Sequence, residues 1–141
     1  MAPPLAVEKD FVIRLGTQSI RGKIDRVDRI GSKVRIVDYK TGRAKSDANS
    51  DDRKFAENSL QFSIYALAAF EVFGWSLDSL VFDYVYERSQ LSTTRSVEQL
   101  GAVKERILEL ASSIQNGDFT AKPGFHCDWC EYRELCPMAS R

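Results

Sequence analysis

Between Phe11 and Tyr39 the chain passes through three short runs rich in β-branched and aromatic residues, "FVIRL", "SIRGKIDRV" and "VRIVDY", parted only by the turn-like "GTQ" and "GS". Runs this close together predict a three-stranded meander, which commits the first third of the chain to a sheet. Residues 42–54, "GRAKSDANSDDRK", nearly lack apolar side chains and predict a solvent-exposed, mobile loop. A helix is expected next over "FAENSLQFSIYALAAFEVFG", with Leu60, Ile64, Leu67, Ala68 and Val72 near a 3.6-residue period and Gly74 as its stop. "SLVFDYVYER" returns to strand composition, and "LSTTRSV", after a turn at Ser89-Gln90, reads as its hairpin partner. A last helix is predicted from Val97 to Gln115, ended by Asn116-Gly117. This order of elements predicts an α/β fold, a mixed β-sheet flanked by α-helices.

The 141 residues fit one domain, residues 1–141, with residues 123–141 as a cysteine-rich tail. Hydrophobic residues make up 43% and charged residues 28%, which excludes a disordered chain, and no apolar run is long enough for a membrane helix or signal peptide. A cytoplasmic location is the default expectation. With 20 cationic and 20 acidic side chains, net charge neither requires nor forbids a nucleic-acid partner, so any such contact must come from local patches. Cys127, Cys130 and Cys136 fall within ten residues of one another. An odd, clustered set favours a metal over a disulfide framework.

The predicted second and third strands carry charges where valine or threonine would pair better: "IRGKIDRVDRIGSKVRIVDYKTGR", residues 20–43. A two-residue turn at Gly31-Ser32 places Asp25 opposite Asp38, with Cβ atoms about 4.5–5.5 Å apart on one face. Lys40, two residues beyond Asp38, shares that face, and Asp28 turns away. Two carboxylates this close repel unless a proton or a cation intervenes. A hard divalent cation such as Mg²⁺ resolves the conflict, with Lys40 supplying positive charge beside it. The same charges also suit a solvated strand face with cross-strand pairs among Lys23, Asp25, Asp38 and Lys40. Arg43, Lys45, Arg53 and Lys54 in the polar loop are candidates for phosphate contact, or simply solvated.

Asp25 in "GKIDRVD" followed by "IVDYKTG" resembles the PD-(D/E)XK nuclease superfamily, and within it the RecB-like branch of helicase-nucleases. The resemblance implies a restriction-endonuclease-like core in which Asp25, Asp38 and the backbone carbonyl of Tyr39 hold Mg²⁺ or Mn²⁺ and Lys40 is the catalytic lysine. "LQFSIY" is similar to the branch's Gln-x-x-x-Tyr motif, implying that Gln61 and Tyr65 meet the active site and the DNA strand. The tail "FHCDWCEYRELCP" resembles the iron-sulfur cysteine cluster of AddB-type subunits, implying Cys127, Cys130 and Cys136 as ligands to a 4Fe-4S cluster whose fourth ligand lies outside this chain. Zinc is the alternative for thiolates at this spacing, with His126 as a candidate fourth ligand. The additional upstream metal ligand of the family has no counterpart here, and Glu8 reads as a solvated charge ahead of the first strand. The chain is accordingly expected to be a C-terminal fragment of a longer protein.

These readings converge on a metal-dependent DNA exonuclease module of a repair or recombination helicase-nuclease, with DNA and a helicase domain or subunit as partners and no membrane. The alternative is a catalytically incomplete module that binds DNA ends or a partner subunit. A zinc-binding interaction module is a third.

Overall fold

Gly16 and Gly31 both adopt left-handed backbones, with φ of 58° and 59°, and each opens a two-residue turn. Neither Thr17 nor Ser32 after them has a positive φ, as a glycine-first hairpin turn requires. The structure is a computed structural model that describes residues 2–42 and 51–139, with the side chains of 51–53 undescribed. The two turns join β1 (Ala6–Leu15), β2 (Gln18–Ile30) and β3 (Lys33–Lys40) into the expected antiparallel meander, closed by the pairs Leu15 with Gln18 and Ile30 with Lys33.

β4 (Leu77–Tyr84) then lies parallel to β3, and β5 (Ser89–Thr93) pairs antiparallel with β4. The sheet order is β1-β2-β3-β4-β5. A parallel neighbour needs a crossover, and here it contains α1 (Asp51–Asn58) and α2 (Leu60–Glu71). α2 is apolar almost all round, with Phe62, Tyr65, Ala66, Leu67, Ala68 and Ala69 buried. It packs against a sheet face lined by Ile13, Ile24, Val27, Ile36 and Leu80, and the Phe62 and Phe82 rings stack with centroids 3.8 Å apart. Each such buried side chain contributes about 1.5–3 kcal/mol. α3 (Val97–Gln115) has the predicted bounds, and Gly117 with φ of 72° follows its end. The mixed five-stranded sheet with flanking helices is the α/β, restriction-endonuclease-like architecture that the sequence implies.

Three local expectations are corrected. The single helix expected from Phe55 to Gly74 is divided at Ser59, whose extended backbone and Oγ, accepting the Phe62 N–H at 3.2 Å, cap α2. The guanidinium of Arg95 secures this break by donating to the carbonyls of Ala56 (2.8 Å) and Ser59 (3.2 Å) and to Ser63 Oγ (2.8 Å). Burial lowers the Arg95 pKa from its ordinary value. Residues 51–54, expected in the polar loop, belong to α1. The second hairpin turns at residues 85–88 rather than at Ser89-Gln90, because the Glu87 N–H reaches the Tyr84 carbonyl (3.1 Å) and Arg88 takes a left-handed φ of 52°.

The chain divides into two compact units, Met1–Leu108, which contains the whole sheet, and Glu109–Arg141, which contains the end of α3 and the cysteine-rich tail. The tail carries one 3₁₀ turn, Phe125–Trp129, followed by further turns. Among the described residues no helix is long and apolar enough to cross a membrane.

Candidate active site

Asp25, Asp38, Lys40, Gln61 and Tyr65 meet where β2 and β3 pass beneath the start of α2. The β2–β3 pairs run from Ile30 with Lys33 to Arg26 with Val37, and the same register carried one step further sets Asp25 across from Asp38. The paired ladder stops before that step, and the Tyr39 N–H donates instead to Asp25 Oδ2 at 2.9 Å. Asp25 is half-buried and Asp38 is 3% exposed. Asp28 lies on the opposite side, bound at 2.8 Å by Arg26, whose guanidinium also donates to Tyr39 Oη at 3.3 Å. Those two bonds raise the Arg26 pKa further above its already high ordinary value.

Lys40 Nζ stands 2.6 Å from Asp38 Oδ2 and donates to Gln61 Oε1 at 3.0 Å. It also lies 4.7 Å from the centre of the Phe82 ring. The Gln61 amide nitrogen donates to Asp38 Oδ1 and to Tyr65 Oη, both at 3.0 Å. Gln61 therefore couples lysine and aspartate through its two ends, while remaining exposed itself. Tyr65, four residues on and on the same helix face, is 6% exposed. Its Oη is 3.0 Å from the Lys23 carbonyl and 3.3 Å from Asp38 Oδ1, two acceptors for one proton. Burial, followed by the Asp38 charge, pushes the Tyr65 pKa up to about 12, so the phenol stays a donor at neutral pH.

Asp38 Oδ2 is buried and receives no well-aligned hydrogen bond, although Lys40 Nζ is close. The distance is that of an ion pair. A buried carboxylate oxygen whose close contact is the Lys40 cation, beside a second carboxylate, fits a hard divalent cation, which takes one or two carboxylates and fills its shell with water and phosphate oxygens. Asp38 Oδ2 and the Asp25 oxygen not engaged by Tyr39 are the donors available for it. Tyr39 has a 41% exposed side chain. Among the described residues no three His, Cys, Asp or Glu side chains group as a metal site.

Cys127, Cys130 and Cys136 all lie in the tail that follows α3. None is in a disulfide; Cys127 is buried, and Cys130 and Cys136 are half-buried. Cys127 Sγ accepts the Gly124 N–H at 3.4 Å and is held within its own 3₁₀ turn. His126, the neighbour of Cys127, is exposed. Arg43 and Lys45 lie outside the described residues, as does the side chain of Arg53, and Lys54 is exposed on α1. Two contributors were not legible in the sequence: the Lys23 carbonyl, a backbone group with no residue signature, and Arg95, a lone cation after a threonine pair.

Comparison with known proteins covers nearly the whole chain. The chain is 27% identical over 143 residues to "Gene 69 protein" of Mycobacterium phage L5, an alignment that takes in 96% of this chain and 46% of the phage protein. It thus spans about half the length of that curated relative. Its fold resembles the crystal structure of SSO0001, with a TM-score of 0.57 and 18% identity over 94% of this chain and 59% of that one. The family model for the PD-(D/E)XK nuclease superfamily matches residues 2–137, a span that includes the acidic pair, the lysine and the Gln61–Tyr65 helix, and the chain belongs to that superfamily.

Proposed function

We propose that this chain is a metal-dependent deoxyribonuclease module that hydrolyses phosphodiester bonds in DNA, with Asp25, Asp38 and Lys40 as its catalytic residues. The observation that carries the reading is the buried Asp38 Oδ2, which has a lysine at 2.6 Å and a second aspartate across the strand pair but no aligned donor. Bound Mg²⁺ or Mn²⁺ would supply Lewis-acid activation of the phosphate and of water. Asp25 and Asp38 would hold it, together with the Tyr39 carbonyl. Lys40 places a fixed positive charge beside the reacting phosphate, where charge builds in the transition state. Gln61 keeps the Lys40 ammonium and the Asp38 carboxylate in register through its amide, and Tyr65 anchors Gln61 from below. The exposed edge of Gln61 is suited to the DNA strand, and Arg43, by its charge alone, is a further candidate for phosphate contact.

The finer reading is a RecB-like exonuclease within a repair or recombination helicase-nuclease, with a helicase domain or subunit as partner. It is supported by the order of three motifs, "DYKTG", Gln61-x-x-x-Tyr65 and the Cys-x-x-Cys-x-x-x-x-x-Cys tail. For the iron-sulfur cluster the support is that spacing alone. A brown protein absorbing near about 400 nm is its expected signature, and colourless protein overturns it.

The test is cleavage of linear single-stranded, linear duplex and circular DNA with Mg²⁺ or Mn²⁺, comparing wild type with Lys40→Ala and Asp38→Asn. Digestion confined to linear substrates and lost in both variants is expected. No cleavage by metal-loaded wild type would overturn the reading. It would favour instead a module that binds DNA ends or a partner subunit, to which the two-carboxylate donor set lends support.

A further inference from the structure

Glu8 is one of two non-glycine residues with a left-handed backbone among the described residues, at φ of 47°, and it is the third residue of the ten-residue strand β1 rather than part of a turn. A glutamate has no local reason to adopt this conformation, which L side chains avoid. The register of β1 with β2 shows what surrounds it. The pairs run unbroken from Leu15 with Gln18 to Lys9 with Ile24, stop for one position, and resume with Val7 opposite Arg26 and Ala6 opposite Val27. The missing pair is Glu8 with Asp25.

The burial pattern changes phase at the same place in both strands. On β1 the core-facing residues are Phe11, Ile13 and Leu15, and beyond Glu8 it is Ala6 that packs on the core. On β2 they are Ile20 and Ile24, and beyond Asp25 it is Val27, completely buried and three residues from Ile24. In a regular strand, residues three apart face opposite ways. An undisturbed β2 that keeps Ile24 inside would therefore turn Asp25 out to the far face with Lys23. The phase change brings Asp25 instead onto the face of Val27, Ile36 and Asp38, where its carboxylate takes the Tyr39 N–H.

We propose that Glu8 is a positioning residue: its left-handed backbone inverts the pleat of β1 and so forces the facing residue, Asp25, into the acidic site. The backbone conformation does this, not the glutamate side chain, which is exposed. The proposal rests on the reading of Asp25 as a metal-binding carboxylate only for its functional consequence. The geometric claim stands separately.

Substitutions that accept or reject a left-handed backbone test it. Glycine and asparagine adopt it readily, and a β-branched residue does not. Glu8→Gly and Glu8→Asn are expected to keep hydrogen-exchange protection of the Tyr39 amide and wild-type Mn²⁺ affinity measured by electron paramagnetic resonance, with Glu8→Gly raising the urea midpoint. Glu8→Val is expected to abolish protection at Tyr39 and weaken Mn²⁺ binding at least about tenfold while retaining far-ultraviolet dichroism. Loss of Tyr39 protection in Glu8→Gly would overturn the proposal by assigning the effect to the side chain. So would unchanged protection and affinity in Glu8→Val. Should Glu8→Val fail to fold, the glycine and asparagine variants decide alone. Asp25→Asn is the control for the metal reading. If it leaves Mn²⁺ binding intact, that reading fails, and Tyr39 exchange still decides the positioning claim.

Discussion

Gly22 is predicted to be intolerant of even a methyl group. It sits in β2 opposite Phe11, with no positive φ, so its role is to leave room. A Cβ there would stand 2.4 Å from Phe11 Cζ and 2.8 Å from Cε1, against ordinary contacts of 3.4 Å or more, so the ring must retreat by about 1 Å. It has little space for that. Phe11 is 4% exposed and meets the Tyr65 ring edge-on at 6.0 Å. Overpacking of this kind costs about 1–3 kcal/mol, and the loss of unfolded-chain freedom on replacing glycine returns about 0.4–1 kcal/mol. Gly22→Ala should therefore destabilise by about 1–2 kcal/mol, lowering Tm by about 2–4 °C per kcal/mol in a chain of this size. Urea denaturation of Gly22→Ala, Phe11→Leu and the double variant is the assay. The smaller side chain relieves the clash, so the double variant should be more stable than the sum of the singles predicts, by about 1 kcal/mol. Wild-type stability of Gly22→Ala, or strict additivity, would refute the argument that the ring is held in place.

Tyr65 should ionise late in an alkaline ultraviolet titration, near pH 12, as a step missing from Tyr65→Phe. Because its folded-state pKa is raised above about 10, the associated stability is complete below pH 10 and is lost as the pH rises through 12. Ser59→Ala removes the α2 cap and should cost about 1 kcal/mol in urea denaturation. Lys40→Met leaves the Asp38 carboxylate buried without its cation and should cost about 3 kcal/mol, most of which Asp38→Asn in the same background restores.

What the sequence made legible was local. The hairpin around Gly31-Ser32 follows from turn chemistry and a simple register, and that register carried one step further sets Asp25 across from Asp38. The pleat inversion at Glu8 was hidden because it changes which face a residue occupies while leaving composition untouched. Its trace was the three-residue spacing of Ile24 and Val27, improper for a strand. The break at Ser59 escaped notice because apolar periodicity continues across it, and only the serine's capping chemistry and the distant Arg95 interrupt the helix.

The one parallel pairing in the sheet, β3 with β4, has a consequence for assembly. A hairpin with a two-residue turn closes within microseconds, whereas β4 must wait for the whole crossover. In the interval β3, which carries Ile36 and Val37, is a bare edge, the kind of strand that recruits other chains. Asp38 and Lys40, at the end of that edge and pointing inward, are an obstacle to such pairing, since a foreign strand laid over them would have to bury their charges. The charges of the candidate site are thus placed where they would disfavour pairing of the half-folded chain with others.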